Sequence, residues 1–297
     1  MPATQPRRVE NLDTDRGRIP VYATGVVDQP WDSYSATDHR VWRELYSRQR
    51  ELLPGRASEA FLAAQDAMGM SREGIPRFAD LNAILREATG WTLVGVEGLL
   101  PELDFFDHLA NRRFPVTWWI RRPDQIEYIE EPDLFHDLFG HVPLLMNPVF
   151  ANYLQVFGLA GVKAHGLGPD ALMCLARLYW YTVEFGLIQE RDGLRIYGSG
   201  IVSSAGESIH SLDSAAPNRI GFDLERIMRT RYRIDTYQQT YFVIDSFEQL
   251  IEQTVQDFAP LYARLATQAT WPAGKVLDTD RVLQRGSGEG WACVGDI

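Results

Sequence analysis

The sequence contains few cysteines and no long apolar runs, and both shortages exclude whole classes of protein. Its two cysteines, Cys174 and Cys293, do not suggest a disulfide framework. Cys174 falls in an apolar segment, where it would pack as a small apolar side chain. No stretch of about 18 apolar residues is present, so no membrane span is predicted. The first 18 residues are polar, so no signal peptide is predicted. These features indicate a soluble, cytoplasmic protein.

Positive charge is also scarce. The chain has 29 Lys and Arg against 40 Asp and Glu, a net charge of −11, and no basic cluster interrupts this acidic background. Because an acidic surface repels phosphate groups, neither nucleic acid nor an anionic membrane is expected as a partner.

The pattern of apolar and polar residues along the chain predicts one domain that is mainly α-helical with a few short β-strands. At 297 residues and 45% hydrophobic content, the chain is long enough for one large core. No internal repeat or linker-like composition interrupts residues 35–268, and no βαβ alternation is visible. We therefore expect a flexible N-terminal arm over residues 1–30, one domain over 31–270 and an irregular C-terminal tail over 271–297.

Several local patterns predict where elements begin. Ser35 with Asp38, and Ser246 with Gln249, are typical of capped helix starts, and Asn147-Pro148 is another. Residues 195–202 and 208–212 are predicted as short strands around a glycine-rich turn. Residues 222–232 are predicted as a helix and 240–244 as a strand.

Two of the 6 histidines, His136 and His141, lie in one apolar segment. Glu131-Pro132-Asp133 is predicted to open a short helix there, and Gly140 to end it in a left-handed turn. Residues five apart point about 140° away from each other on an unbroken α-helix. The predicted break at Gly140 would let His141 turn back towards His136, so the pair could hold a metal ion or could simply be core histidines.

Glu184 strengthens the metal hypothesis. It lies in the segment Pro169–Leu187, which is apolar nearly all round and is therefore predicted to be buried. A buried carboxylate needs a cation or a proton, and Arg177 would be roughly 10 Å away along the helix. A metal ion held with His136 and His141 is the better partner. Two histidines and one carboxylate suit iron(II) but also occur in zinc hydrolases, so the ligands alone do not identify the metal.

Three motifs together resemble the catalytic domain of the aromatic amino acid hydroxylases. They are EPDLFHDLFGHVPLL from residue 131, ARLYWYTVEFGL from residue 176 and IYGSGIVSSAGES from residue 196. The similarity extends from about residue 34 to residue 265. It implies a non-haem iron(II) monooxygenase that uses tetrahydrobiopterin or a related tetrahydropterin. The implied reaction converts L-phenylalanine to L-tyrosine with O₂, in a bare catalytic domain that is a monomer.

The resemblance also implies roles for individual residues. The implied iron ligands and catalytic residues are His136, His141 and Glu184. The implied pterin-binding residues are Gly98, Leu100, Phe105 and Asp137. The implied substrate-binding residues are Arg121, Trp180, Phe185 and Ser203, with Arg121 gripping the carboxylate of the amino acid. Ser203 and Tyr179 are also expected just outside the ligands, with Ser203 supporting a ligand histidine.

Alternatives remain open at this point. A zinc hydrolase could use the same three ligands, although the spacing H-D-L-F-G-H lacks the glutamate of H-E-x-x-H. A binding protein without turnover could hold an aromatic amino acid or a pterin. Within the resembled family, a tryptophan- or tyrosine-hydroxylating member is the other possibility. Trp180 and the apolar Val243 favour phenylalanine.

Overall fold

The computed structural model describes residues 8–14, 17–22 and 25–288. Most elements of regular structure in these residues are helices. The α-helices are α1 (Ala36–Leu52), α2 (Glu59–Met68), α3 (Phe78–Ala88), α4 (Glu102–Ala110), α5 (Pro148–Leu167), α6 (Pro169–Tyr179), α7 (Ser199–Val202), α8 (Ala205–Asp213), α9 (Leu224–Met228), α10 (Phe247–Thr254) and α11 (Ala259–Leu265). Two π-helical turns, His136–His141 and Trp180–Glu184, add to them. The predicted mainly α-helical class is confirmed.

The short strands assemble into two five-stranded sheets. The strands are β1 (Arg8–Thr14), β2 (Gly17–Tyr22), β3 (Val26–Val27), β4 (Thr92–Val96), β5 (Arg113–Thr117), β6 (Leu187–Glu190), β7 (Gly193–Ile196), β8 (Asn218–Gly221), β9 (Thr240–Ile244) and β10 (Val282–Gln284). The first sheet has the order β1-β2-β3-β4-β5 and the second β10-β8-β9-β6-β7. Strands β4 and β5 are parallel, with α4 between them in the chain. The arm and tail of the sequence prediction therefore contribute β1, β2, β3 and β10, while the domain limits themselves stay a prediction.

The capping patterns that predicted helix starts are present in the structure. Ser35 and Asp38 form a reciprocal capping box at the start of α1. The Asn147 side chain accepts from two backbone N–H groups at the start of α5, and Ser246 accepts from the amide of Gln249 at the start of α10. These contacts need only neighbouring residues, so the local sequence determines them.

Three segment predictions are wrong. Residues 199–202 and 205–213 form α7 and α8, where short strands were expected, and only Arg195 and Ile196 at the end of β7 agree. The helix expected over residues 222–232 is confined to α9, and β8 precedes it. Strand β8 exists because residues 218–221 pair in parallel with β9, a partner that no local pattern reveals.

The main cluster of buried apolar side chains extends from Tyr34 to Leu265 and surrounds the first π turn. The ring of Phe135 packs edge-on against Trp42 of α1, and Phe139 packs against Phe61 of α2. No single helix within the described ranges is long and apolar enough to cross a membrane. By length and composition alone, the bent pair His136–Met146 and Pro148–Leu167, at 113°, would qualify.

Candidate active site

The first π turn explains how His136 and His141 face the same way. The helix begins after Asp133, whose side chain accepts from the amide of His136 at 3.0 Å, and Pro132 lies outside it. The turn then widens to the i→i+5 pattern, which brings residues five apart nearly into line. The break predicted at Gly140 is wrong, because Gly140 is helical and has no positive φ. A Cβ on Gly140 would come within 2.8 Å of the Ser199 carbonyl oxygen, so glycine allows α7 to approach.

The second π turn brings Glu184 to these histidines. Its Oε1 lies 3.1 Å from Nε2 of His141, and its Oε2 lies 3.6 Å from Nε2 of His136. The two Nε2 atoms are 3.1 Å apart. Arg177 does not pair with Glu184, since its guanidinium donates to the carbonyl of Met228. Three ligand atoms from two separate turns therefore converge on one point.

These distances suit a shared metal ion. Ligand atoms at about 2.1 Å from one ion lie about 3.0 Å apart at right angles and about 3.4 Å apart at tetrahedral angles. The observed separations of 3.1, 3.1 and 3.6 Å scatter around these values. The side chains of His136, His141 and Glu184 are therefore placed to bind one metal ion. The distances do not distinguish iron from zinc.

Ser199 of α7 and Ser203 at its C-terminal end orient two of the three candidate ligands. Ser203 donates its hydroxyl hydrogen to the Ser199 carbonyl at 2.7 Å. It can then only accept from Nδ1–H of His136, 3.0 Å away, which leaves the Nε2 lone pair of His136 facing the cluster. Ser199 in turn donates to Oε2 of Glu184 at 2.9 Å. The contact that Ser203 makes is thus to a histidine, and its predicted role in substrate binding stays a prediction.

Burial and charge set the protonation of the ligands. Burial lowers the pKa of His136 to about 4, against the attraction of Glu184, so its imidazole is neutral. Burial alone would raise the pKa of Glu184, but its interactions with His141, including a hydrogen bond, and with His136 bring that pKa down to about 2. Neutral imidazole and ionised carboxylate are the forms that bind a metal ion.

Asp137 lies in the same cluster but is turned away from its centre. His136, Asp137 and His141 each place a ligand atom within 4.8 Å of the others. However, Oδ2 of Asp137 accepts from the amide of Thr117 at 2.7 Å. Burial raises the pKa of Asp137 to about 7, although His141 and the hydrogen bonds of Thr117 oppose this rise. By orientation, Glu184 is the better third ligand.

Arg121 is buried beneath the first π turn. Its Nε and Nη2 donate to the two carboxylate oxygens of Asp133, each at 2.9 Å. Asp133 is fully buried, and it also accepts from the amides of Arg121 and His136. Burial opposes ionisation, but the Arg121 charge and these hydrogen bonds hold the pKa of Asp133 below its usual value. One edge of the guanidinium expected to grip a substrate carboxylate therefore already holds Asp133.

Aromatic side chains extend from the ligands in two directions. Tyr179 stacks near His141 at 6.3 Å between ring centroids, and Phe105 of α4 meets Tyr179 edge-on at 5.7 Å. On the other side, Trp180 and Phe185 flank Glu184 in the chain and lie 4.7 Å apart. Gly98 and Leu100 lie in the loop between β4 and α4, which leads to Phe105.

Sequence reasoning missed several polar residues of the site. They are Thr117, Asp133, Ser199, Glu207 and Gln238. Ser199 and Ser203 are four residues apart, which places them on one face of a helix, but the sequence predicts a strand at Ser199 and a turn at Ser203. The others are polar residues whose partners lie 12 to 58 residues away in sequence, as for Asp133 with Arg121 and Gln238 with Trp180.

Comparison with known proteins points to one family. Residues 25–269 match the model of the biopterin-dependent aromatic amino acid hydroxylases. The chain is 63% identical to the phenylalanine-4-hydroxylase of Ralstonia nicotianae over 271 residues, covering 91% of this chain and 86% of that protein. It is 60% identical to the phenylalanine-4-hydroxylase of Chromobacterium violaceum over 269 residues, covering 91% and 90%. A crystal structure of the C. violaceum protein with bound oxidised Fe(III) superposes with a TM-score of 0.86 at 59% identity. It covers 88% of this chain and 94% of that one.

Proposed function

The chain belongs to the biopterin-dependent aromatic amino acid hydroxylases, and we propose that His136, His141 and Glu184 hold the iron of its active site. It hydroxylates L-phenylalanine to L-tyrosine with iron(II), a tetrahydropterin and O₂. The observation that carries the ligand assignment is the convergence of their three donor atoms within 3.1–3.6 Å.

The protein holds the metal and orients the reacting groups, while the iron and the reduced pterin supply the oxidising chemistry when bound. Ser203 and Ser199 hold the side chains of His136 and Glu184, so contacts within the protein orient these two donors. The buried apolar residues around the first π turn exclude water from the reacting groups.

For the pterin, we propose a site between α4 and the ligands. Phe105 stacks on the pterin ring in this proposal, because it is half-buried and connects to His141 through Tyr179. Gly98 and Leu100 form the adjoining loop. In this proposal Asp137, with its carboxyl held by Thr117, hydrogen-bonds the cofactor near the metal.

For the amino acid, we propose that Arg121 holds the carboxylate through its free edge. A guanidinium has five N–H donors. Asp133 takes two, and the Ile126 carbonyl lies 3.4 Å from Nη1, so two donors at the outer end are left for a second carboxylate. Trp180 and Phe185 form the wall for the aromatic ring in this proposal.

The proposed preference is for phenylalanine over tryptophan and tyrosine. The large Trp180 leaves less room for an indole, and Val243 in β9 is fully buried and offers no polar partner to a ring hydroxyl. Comparing kcat/KM for the three amino acids tests the preference, and a value for tryptophan or tyrosine as high as that for phenylalanine would contradict it.

We further propose that the chain acts as a monomer in the cytoplasm, with one catalytic domain over residues 31–270. The support is the acidic composition, the scarcity of cysteine and the main apolar cluster that extends from Tyr34 to Leu265. Light scattering on the purified protein tests the oligomeric state, and a mass of twice 33.8 kDa would contradict it.

Turnover with defined metals tests the function as a whole. Metal-free protein is loaded with Fe(II) or with Zn(II), and tyrosine is measured after adding phenylalanine, a tetrahydropterin and O₂. We expect tyrosine with iron and none with zinc. Tyrosine formation that does not depend on the metal, or none with iron, would refute the proposal.

A further inference from the structure

Trp180 is held from three sides at the start of the second π turn. Tyr232 stacks on its ring at 4.4 Å and 15°, and Phe185 lies 4.7 Å away and tilted. The indole N–H donates to Oε1 of Gln238 at 2.9 Å. Stacking fixes the plane of an indole but lets it slide, whereas a hydrogen bond at the ring edge fixes its position within that plane.

Gln238 is itself held in place, and its side-chain amide oxygen is directed at the indole N–H of Trp180. Its Nε2 donates to the Arg233 carbonyl at 3.2 Å, so its oxygen must face the indole. Its backbone N–H donates to Oε1 of Glu207 at 3.1 Å, and the Tyr241 hydroxyl donates to the same oxygen. Gln238 and Glu207 are both about 4% exposed, so water does not substitute for these contacts.

We infer that Gln238 is a positioning residue that acts through the indole N–H of Trp180. Glu207 keeps the backbone of Gln238 in the place that this contact needs. The inference rests on the proposed role of Trp180 as a wall of the substrate pocket. Trp180 lies four residues before the ligand Glu184, so a displaced indole would move the substrate ring relative to the metal. Gln238 touches neither metal nor substrate in this scheme.

Loss of this contact affects substrate handling more than stability. Trp180 is half-buried, so its indole can turn towards solvent once this hydrogen bond is lost. One neutral hydrogen bond used for positioning corresponds to about a tenfold change in rate. We therefore expect Gln238→Leu to lower kcat/KM for phenylalanine about tenfold and to lower the tyrosine formed per pterin oxidised. Iron content and melting temperature should stay close to those of the wild type.

A double-mutant cycle tests whether the effect passes through Trp180. Trp180→Phe removes the indole N–H, so adding Gln238→Leu to Trp180→Phe should change kcat/KM no further. Gln239→Leu is the matched control, because its half-buried side chain forms no hydrogen bond with any described residue, and it should behave as the wild type. Gln238→Asn keeps the amide but is one methylene shorter, and it serves if the leucine variant does not fold.

The outcomes separate this inference from the proposed function. If the wild type forms no tyrosine, the proposed function fails. If the wild type is active and the Gln238 variants match it, the positioning role is refuted. It is equally refuted if their full effect persists in the Trp180→Phe background, or if they lose only stability.

Discussion

The two π-helical turns supply the proposed ligands in different surroundings. The turn His136–His141 provides two ligands and is surrounded by polar contacts to Asp133, Thr117 and Ser203, nearly all of them buried. The turn Trp180–Glu184 provides one ligand, which Ser199 holds, and begins with a half-buried indole between two aromatic rings.

This difference indicates a division of tasks. Buried polar contacts are expensive to break, so the first turn is rigid and suited to holding a metal ion. The second turn joins the metal to the aromatic wall of the proposed substrate pocket. Variants of the first turn should therefore lose metal or stability, whereas variants around the second should keep the metal and change turnover.

Removal of a ligand from the first turn should have the largest effect. Loss of groups that merely support a ligand costs about 10–100-fold in metal affinity, so His141→Ala should cost more than about a hundredfold. We expect loss of iron and of tyrosine formation, with the protein still folded because the surrounding apolar contacts remain. The measurements are iron content by atomic absorption and turnover. His165→Ala, at an exposed histidine of α5, is the control, and a His141 variant with normal iron content would contradict the assignment.

Substitutions of the neighbouring Arg121 and Arg122 compare the loss of a buried ion pair with the loss of an exposed one. Arg121→Ala leaves the buried Asp133 without its cation, and breaking such a pair costs about 3–5 kcal/mol. We expect that loss in denaturant unfolding, together with weaker iron binding because Asp133 also holds the His136 amide, and a higher KM for phenylalanine. Arg122→Ala breaks only an exposed pair with Asp124 and should change little. Equal effects of the two variants would show that Arg121 has no special place in the site.

Glu207, behind the second turn, should make stability depend on pH. Burial raises the pKa of Glu207 from 4.5 to about 7, although Tyr241 and the Gln238 amide oppose this rise. Between these values the folded protein keeps a proton that the unfolded chain has lost, so this group's contribution to stability falls as pH rises. Both recorded hydrogen bonds go to Oε1, so Gln mimics the protonated acid.

Glu207→Gln should therefore gain roughly 2–3 kcal/mol of unfolding free energy relative to the wild type between pH 5 and pH 8. Unfolding of both proteins at equal iron loading measures this difference. Glu248→Gln, at an exposed glutamate of α10, should show no such trend. A difference that does not change with pH would mean that Glu207 titrates normally.

The features that could be predicted from the sequence are those that depend on residues close together in the chain. Capped starts such as Ser35 and Asn147 were predicted correctly. His136, His141 and Glu184 could be proposed as ligands because polar groups stand out in apolar segments. The sequence does not predict the π turns, which pack against α7, an element outside their own segments. Gly198 belongs to the same close packing, because a Cβ there would lie 2.4 Å from the Glu184 carbonyl oxygen. The sequence pattern instead predicts a short strand over residues 195–202, which include Gly198.

Anomalous diffraction at the iron edge, from crystals of the iron-loaded protein, tests the central claim most directly. The account predicts one peak about 2.1 Å from Nε2 of His136, Nε2 of His141 and the carboxylate of Glu184. The peak should lie farther from Asp137, whose carboxylate faces Thr117. A peak bound by Asp137 in place of Glu184, or one outside this cluster, would contradict the assignment of tasks to the two turns.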